Sequence, residues 1–94
     1  MKQIHEAKEK GLTPVIYITK DLARQSGTNG ELSQLTLLCK KMGIRVYSED
    51  DLPILKRIKK AKVFRYGYLP NDIEYFVKKK GGHVISGNIQ LPVQ

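Results

Sequence analysis

The chain has 94 residues, 40% of them apolar or aromatic, with no tryptophan and a formal net charge of +8. That length allows one domain with one modest core, and the composition excludes a disordered chain. No apolar stretch approaches the roughly 20 residues needed to span a bilayer, and MKQIHEAKEK lacks the apolar centre of a signal peptide. The expectation is a soluble protein, cytoplasmic or otherwise intracellular. Cys39 is the only cysteine. It excludes an intramolecular disulfide and a cysteine-built zinc site, and reads as a small core residue on a helix.

Residues 2 to 10 place Ile4 and Ala7 on one helical face and stop at Gly11, which predicts a helix with His5 on its polar side. Pro14 to Thr19, PVIYIT, is a near-continuous apolar run rich in β-branched residues, as a buried strand requires. Gly27-Thr28-Asn29-Gly30 reads as a surface loop, although glycines before a helix can also cradle a phosphate. Leu32, Leu35, Leu38, Cys39 and Met42 recur at helical spacing over residues 31 to 42; Thr28 with Glu31 has the capping-box form, and Gly43 supplies the stop. Ile44 to Ser48 is a second strand. The stretch 50 to 60 is expected to be a helix burying Leu52, Leu55 and Ile58, with Pro53 in its first turn and Lys56, Lys59 and Lys60 pointing elsewhere. Lys62 to Gly67 is a third strand. Asn71 with Glu74 caps a helix that turns Ile73, Phe76 and Val77 inward and ends at Gly81-Gly82. His83 to Gly87 is the fourth strand, and residues 89 to 94 form a docked or frayed end. The alternation predicts a small three-layer α/β/α sandwich with a mainly parallel four-stranded sheet.

Charge is uneven along the chain. Residues 40 to 94 hold twelve Lys/Arg against five Asp/Glu, so nearly all of the surplus lies in the second half. Lys56, Arg57, Lys59, Lys60, Lys62 and Arg65 form one cluster and Lys78, Lys79 and Lys80 another. A phosphate backbone is the commonest partner for such a surface, an anionic membrane a weaker second. Tyr66 and Tyr68 flank Gly67 between the cations and an acidic loop, where Tyr68 can stack on an unpaired base or simply cover the sheet edge. His83, at the start of a strand, reads as structural, with contact to a phosphate left open.

The acids gather where strands end. Lys20-Asp21, Ser48-Glu49-Asp50-Asp51, the GYLPND loop ending in Asp72, and Ser86-Gly87-Asn88 all follow predicted strands, and ligands of parallel sheets bind beyond that edge. Converging carboxylates can hold Mg²⁺ or Mn²⁺ and activate water against a phosphodiester; acids at helix starts equally serve as caps. Capping is the expectation for Glu31, Asp50, Asp51 and Glu74, while Asp21 and Asp72 are open to either role.

KEKGLTPVIYI, ELSQLTLLCKKMGIRVY and NDIEYFVKKKGGHVISGN together resemble the middle and end of an NYN/PIN-type ribonuclease domain. The resemblance implies an α/β/α fold whose carboxyl-edge acids bind a divalent metal that cleaves single-stranded RNA. It maps Glu31, Asp72 and Ser86-Gly87-Asn88 onto the family's acidic positions and its Ser-Asn-Asp corner. The chain departs from that pattern twice: it starts with a helix where the family has a first strand carrying an acid, and Asn88 offers an amide oxygen without charge. PVIYITKD followed by LTLLCKKMGIRVY also resembles the kink-turn-binding ribosomal protein family, which implies RNA binding without chemistry. The expected function is nucleic-acid binding, RNA foremost, through the basic second half. The alternatives are a metal-dependent endoribonuclease of NYN/PIN type, with Asp21, Glu31, Asp72 and Asn88 as candidate catalytic residues and Asp21 and Asp72 as candidate metal ligands, and a protein-interaction subunit, homo-oligomeric or within a nucleoprotein assembly.

Overall fold

A strand buried on both faces must be apolar at consecutive positions, and residues 15 to 18 of the computed structural model meet that condition with every side chain buried. The structure describes residues 2 to 26 and 30 to 87. In chain order the elements are α1 (Lys2–Glu9), β1 (Thr13–Ile18), α2 (Lys20–Ser26), α3 (Glu31–Lys41), β2 (Arg45–Tyr47), a 3₁₀ turn (Glu49–Asp51), α4 (Leu52–Leu55), β3 (Ala61–Tyr66), α5 (Asn71–Lys79) and β4 (His83–Ser86). The four strands form one sheet in the order β2-β1-β3-β4, and every pairing is parallel.

Alternation along the strands divides the core in two. Ile16 and Ile18 of β1 and Phe64 of β3 pack with Ile4 of α1 and with Leu35 and Cys39 of α3, and Leu22 of α2 joins them. Val15, Tyr17, Ala61 and Val63 face the other way, onto Leu55 of α4 and Ile73 and Val77 of α5. The chain runs outward from β1 to β2, then back past β1 to β3 and on to β4. With one hand of crossover, that reversal puts α3 on the opposite face from α4 and α5. The result is the α/β/α sandwich expected from the alternation. Among the described residues no helix is long and apolar enough to cross a membrane.

One element is added and two expectations are corrected. Lys20–Ser26, left unassigned by the apolar spacing, is a helix, and its Leu22 is half-buried against the α3 side of the core. The helix expected over 50 to 60 is a 3₁₀ turn followed by the four residues of α4; Leu55 and Ile58 are inward as expected, but the chain turns after Leu55 and Lys60 adopts φ 54. Asn71 does not cap α5: it is the first helical residue, Pro70 holds the N-cap position, and no side chain bonds the free N–H groups there. The Thr28–Glu31 capping pair and the phosphate-cradle alternative for residues 27 to 30 involve positions outside the described residues, as does the tail from Asn88 onward; α3 opens with Gly30 as its N-cap.

Candidate functional site

In a parallel sheet of this order the ligand crevice lies beyond the carboxyl ends of β1 and β3, where the direction of travel reverses. Packing fills it. The buried Thr19 donates its N–H to the Tyr66 carbonyl at 3.0 Å. Gly67, at φ +107, sits so close that a Cβ there would lie 2.5 Å from the Thr19 side chain. The Tyr17 phenol donates to the Tyr68 carbonyl at 3.2 Å, and burial, with Glu49 nearby as a second cause, raises its pKa.

Around this edge most of the described acids are engaged. Glu49 accepts the Lys20 N–H at 2.8 Å, and Asp50 takes the Lys20 ammonium at 2.6 Å, a hydrogen bond and charge that raise the lysine pKa. Asp51 accepts the Ser48 N–H at 3.0 Å, in the capping role expected of it. Asp21 pairs with Arg24 at 2.8 Å, and Glu74 with Lys78 at 3.0 Å. Asp72 lies exposed in the first turn of α5, where its charge complements the helix dipole. Glu31 opens α3, but its side chain and Asn88 lie outside the described residues. Among the described residues no three of His, Cys, Asp and Glu form a group able to hold a metal ion.

The amino edge is different. Each helix that runs antiparallel to the sheet delivers its carboxyl end to the start of the next strand, and each of the four deliveries is rich in lysine: Lys8 and Lys10 before β1, Lys40 and Lys41 before β2, Lys59 and Lys60 before β3, Lys78, Lys79 and Lys80 before β4. All nine are exposed. Three of these segments are joined through Lys60, whose N–H donates to the Lys80 carbonyl at 3.0 Å and whose own carbonyl accepts from Thr13 N–H at 2.8 Å. Among these nine lysines only Lys78 forms an ion pair with a described carboxylate. Two recesses open at this edge: one of about 360 Å³ beside Lys8, Gly43 and Arg45, the other of about 340 Å³ lined by Lys10, Lys62, Lys78 and His83.

The fold splits the cation cluster of residues 56 to 65. Lys59 and Lys60 reach the amino edge, and Lys62 stands just inside it with its ammonium 6.0 Å from the Phe64 ring centroid. Arg57 is exposed in the turn after α4. Arg65 lies near the opposite end of β3 and donates to the Gly67 carbonyl at 3.2 Å. Lys56 lies on the helical layer, its ammonium 4.6 Å from the Phe76 centroid; Phe76 meets the exposed Tyr75 edge-on at 5.7 Å, and Lys79 stands 5.9 Å from Tyr75. Tyr68 is 72% exposed at the carboxyl edge. A six-residue strand, roughly 17 to 20 Å long, separates it from the lysine-rich edge.

Tyr75 therefore stands nearer the lysines than Tyr68 does. Linear charge counting also misses Lys8, Lys10, Lys40 and Lys41, although a signal was present: KEKG, KKMG, the Lys59-Lys60 pair and KKKGG each end at most one residue short of a strand. No family model matches the chain, and no curated protein or solved structure matches it.

Proposed function

We propose that the chain binds nucleic acid, RNA foremost, through the amino edge of its sheet. The observation that carries this reading is the convergence of nine exposed lysines, from all four strand-preceding segments, on one edge where only Lys78 has a carboxylate partner among the described residues. A surface of this kind draws a polyanion by releasing its condensed counterions, a gain that no single ion pair supplies. Packing in the carboxyl-edge crevice, and the engagement of the surrounding acids by Lys20, Arg24 and backbone N–H groups, favour binding over metal-dependent cleavage.

The test is titration of a single-stranded oligoribonucleotide at several salt concentrations. Each neutralised phosphate contributes about 0.7 to the slope of log affinity against log salt for a single strand, so replacing Lys40, Lys41, Lys59 and Lys80 by Gln is expected to flatten it by about two to three. The charge change in Lys20→Gln with Arg24→Gln, at the other edge, is expected to leave the slope within about half a unit of wild type. Equal slopes in the two variants would refute the amino edge as the interface. Cleavage of the oligoribonucleotide on addition of Mn²⁺, lost in Asp72→Asn, would favour the ribonuclease alternative.

A further inference from the structure

The recess of about 340 Å³ differs from the rest of the amino edge in its composition. Lys10 comes from the turn after α1, Lys62 from β3, Lys78 from the last turn of α5 and His83 from the start of β4, so nitrogen-bearing residues from four segments distant in sequence line one concavity. Register accounts for part of this: Lys62 and His83 are paired neighbours across β3 and β4 and project from the same face of the sheet. Leu12 and Ile85 give the recess an apolar portion. Among the described residues no carboxylate lines it; Glu74, the partner of Lys78, lies one turn back along α5. Among the described residues Lys62 has only the Phe64 ring, at 6.0 Å, the far limit at which such a contact has value. Cations gathered without a counter-charge repel one another, and a bound anion removes that cost.

We infer that this recess is a discrete phosphate-binding site, in which Lys10, Lys62 and Lys78 hold the phosphate oxygens, His83 adds a ring N–H, and Leu12 and Ile85 take the adjoining sugar or base. The inference deepens the nucleic-acid reading and rests on it for the source of the phosphate, which is either a backbone phosphodiester or a terminal monoester. A volume of this size suits one nucleotide unit.

Pyrophosphate is the probe, titrated by calorimetry at constant ionic strength into wild type and two charge-matched double variants. Lys10→Gln with Lys62→Gln removes two cations from the recess while keeping a polar stem over Phe64; Lys40→Gln with Lys41→Gln removes two from the other side of the same edge. The first is expected to weaken pyrophosphate at least tenfold, the second less than twofold. Lys10→Gln alone, at an exposed turn position, is expected to weaken it several-fold and keeps the test valid should Lys62→Gln unfold the chain. Equal weakening by both doubles, or no pyrophosphate binding to wild type, overturns the site. An oligoribonucleotide with a 5′-phosphate and its 5′-hydroxyl counterpart separate the sources: tighter binding of the former assigns the recess to a strand end, equal binding to a backbone phosphate. Should pyrophosphate bind in the expected order while neither oligonucleotide does, the phosphate site stands and the nucleic-acid function falls.

Discussion

At the carboxyl edge of the sheet, Asp21, Glu49, Asp50 and Asp51 each contact a cation or a backbone N–H, whereas at the amino edge eight of the nine lysines contact no described carboxylate. Helix dipoles explain the sign at both ends, since acids suit helix N-termini and lysines helix C-termini, at about 0.3 to 1 kcal/mol each. They do not explain the density. Lys59 and Lys60 follow a helix of four residues, too short for an appreciable dipole, yet they complete the row. At the carboxyl edge most of the described acids have a partner, while at the amino edge most of the charge has no counter-charge among the described residues.

Four measurements break or sharpen that contrast. The largest effect is expected at Gly82, where a Cβ would stand 2.4 Å from the Ala61 carbonyl oxygen and 2.9 Å from that of Val77. Backbone cannot yield as a side-chain tip does, so Gly82→Ala is expected to cost about 3 kcal/mol in a denaturant titration, and a cost under about 1 kcal/mol would show that the amino edge is loosely built.

Next is the carboxyl edge, where Tyr17→Phe removes the bond to the Tyr68 carbonyl and is expected to cost about 1 kcal/mol at neutral pH. Because burial raises the native pKa of Tyr17 above that of the unfolded phenol, its contribution is complete below about pH 10 and is lost as the pH rises through the native value. Wild type is therefore expected to lose its advantage over Tyr17→Phe on alkaline titration; a constant difference up to pH 11 contradicts this sign.

Lys60→Gly acts in the opposite direction. Relief of the left-handed backbone at φ 54 is expected to raise stability by up to about 1 kcal/mol while flattening the salt dependence of oligoribonucleotide binding by less than about one unit. Loss of stability would mean that the side chain, and not the backbone geometry, holds the joint.

The smallest effect belongs to Asp21→Asn, which breaks a fully solvated pair with Arg24 and is expected to change stability by less than about 0.5 kcal/mol. Thermal melts with millimolar Mn²⁺ extend the measurement: a rise in Tm for wild type that Asp21→Asn and Asp72→Asn both abolish would make the carboxyl edge a cation site and dissolve the contrast.

The strands were legible in the sequence because a parallel sheet covered on both faces requires continuous apolar runs, and Val15 to Ile18 or Val63 and Phe64 have no other plausible place. Helix α2 was not, since KDLARQS offers only Leu22 and Ala23 as apolar residues, too few to show a period. Leu52, Leu55 and Ile58 did show one, but helical spacing is also satisfied by a single turn followed by a bend, and Lys60 at positive φ is a choice made by the joint with Thr13 and Lys80. The site was half legible for a related reason. Counting charge along the chain joined Lys59 to Arg65, which a strand holds at opposite ends, and passed over Lys8 and Lys10 because Glu6, Glu9, Asp21 and Glu31 in the same half balance them arithmetically.

Segregated charge also has a kinetic consequence. A molecule with nine lysines at one end of the strands and most of its acids at the other carries a permanent dipole along them, added to a net charge of +8. A polyanion approaching from any side exerts a torque that turns the amino edge toward it before contact, so fewer encounters are lost to wrong orientation. The association rate, and not the dissociation rate, is then the quantity that falls most steeply as salt shortens the reach of that field.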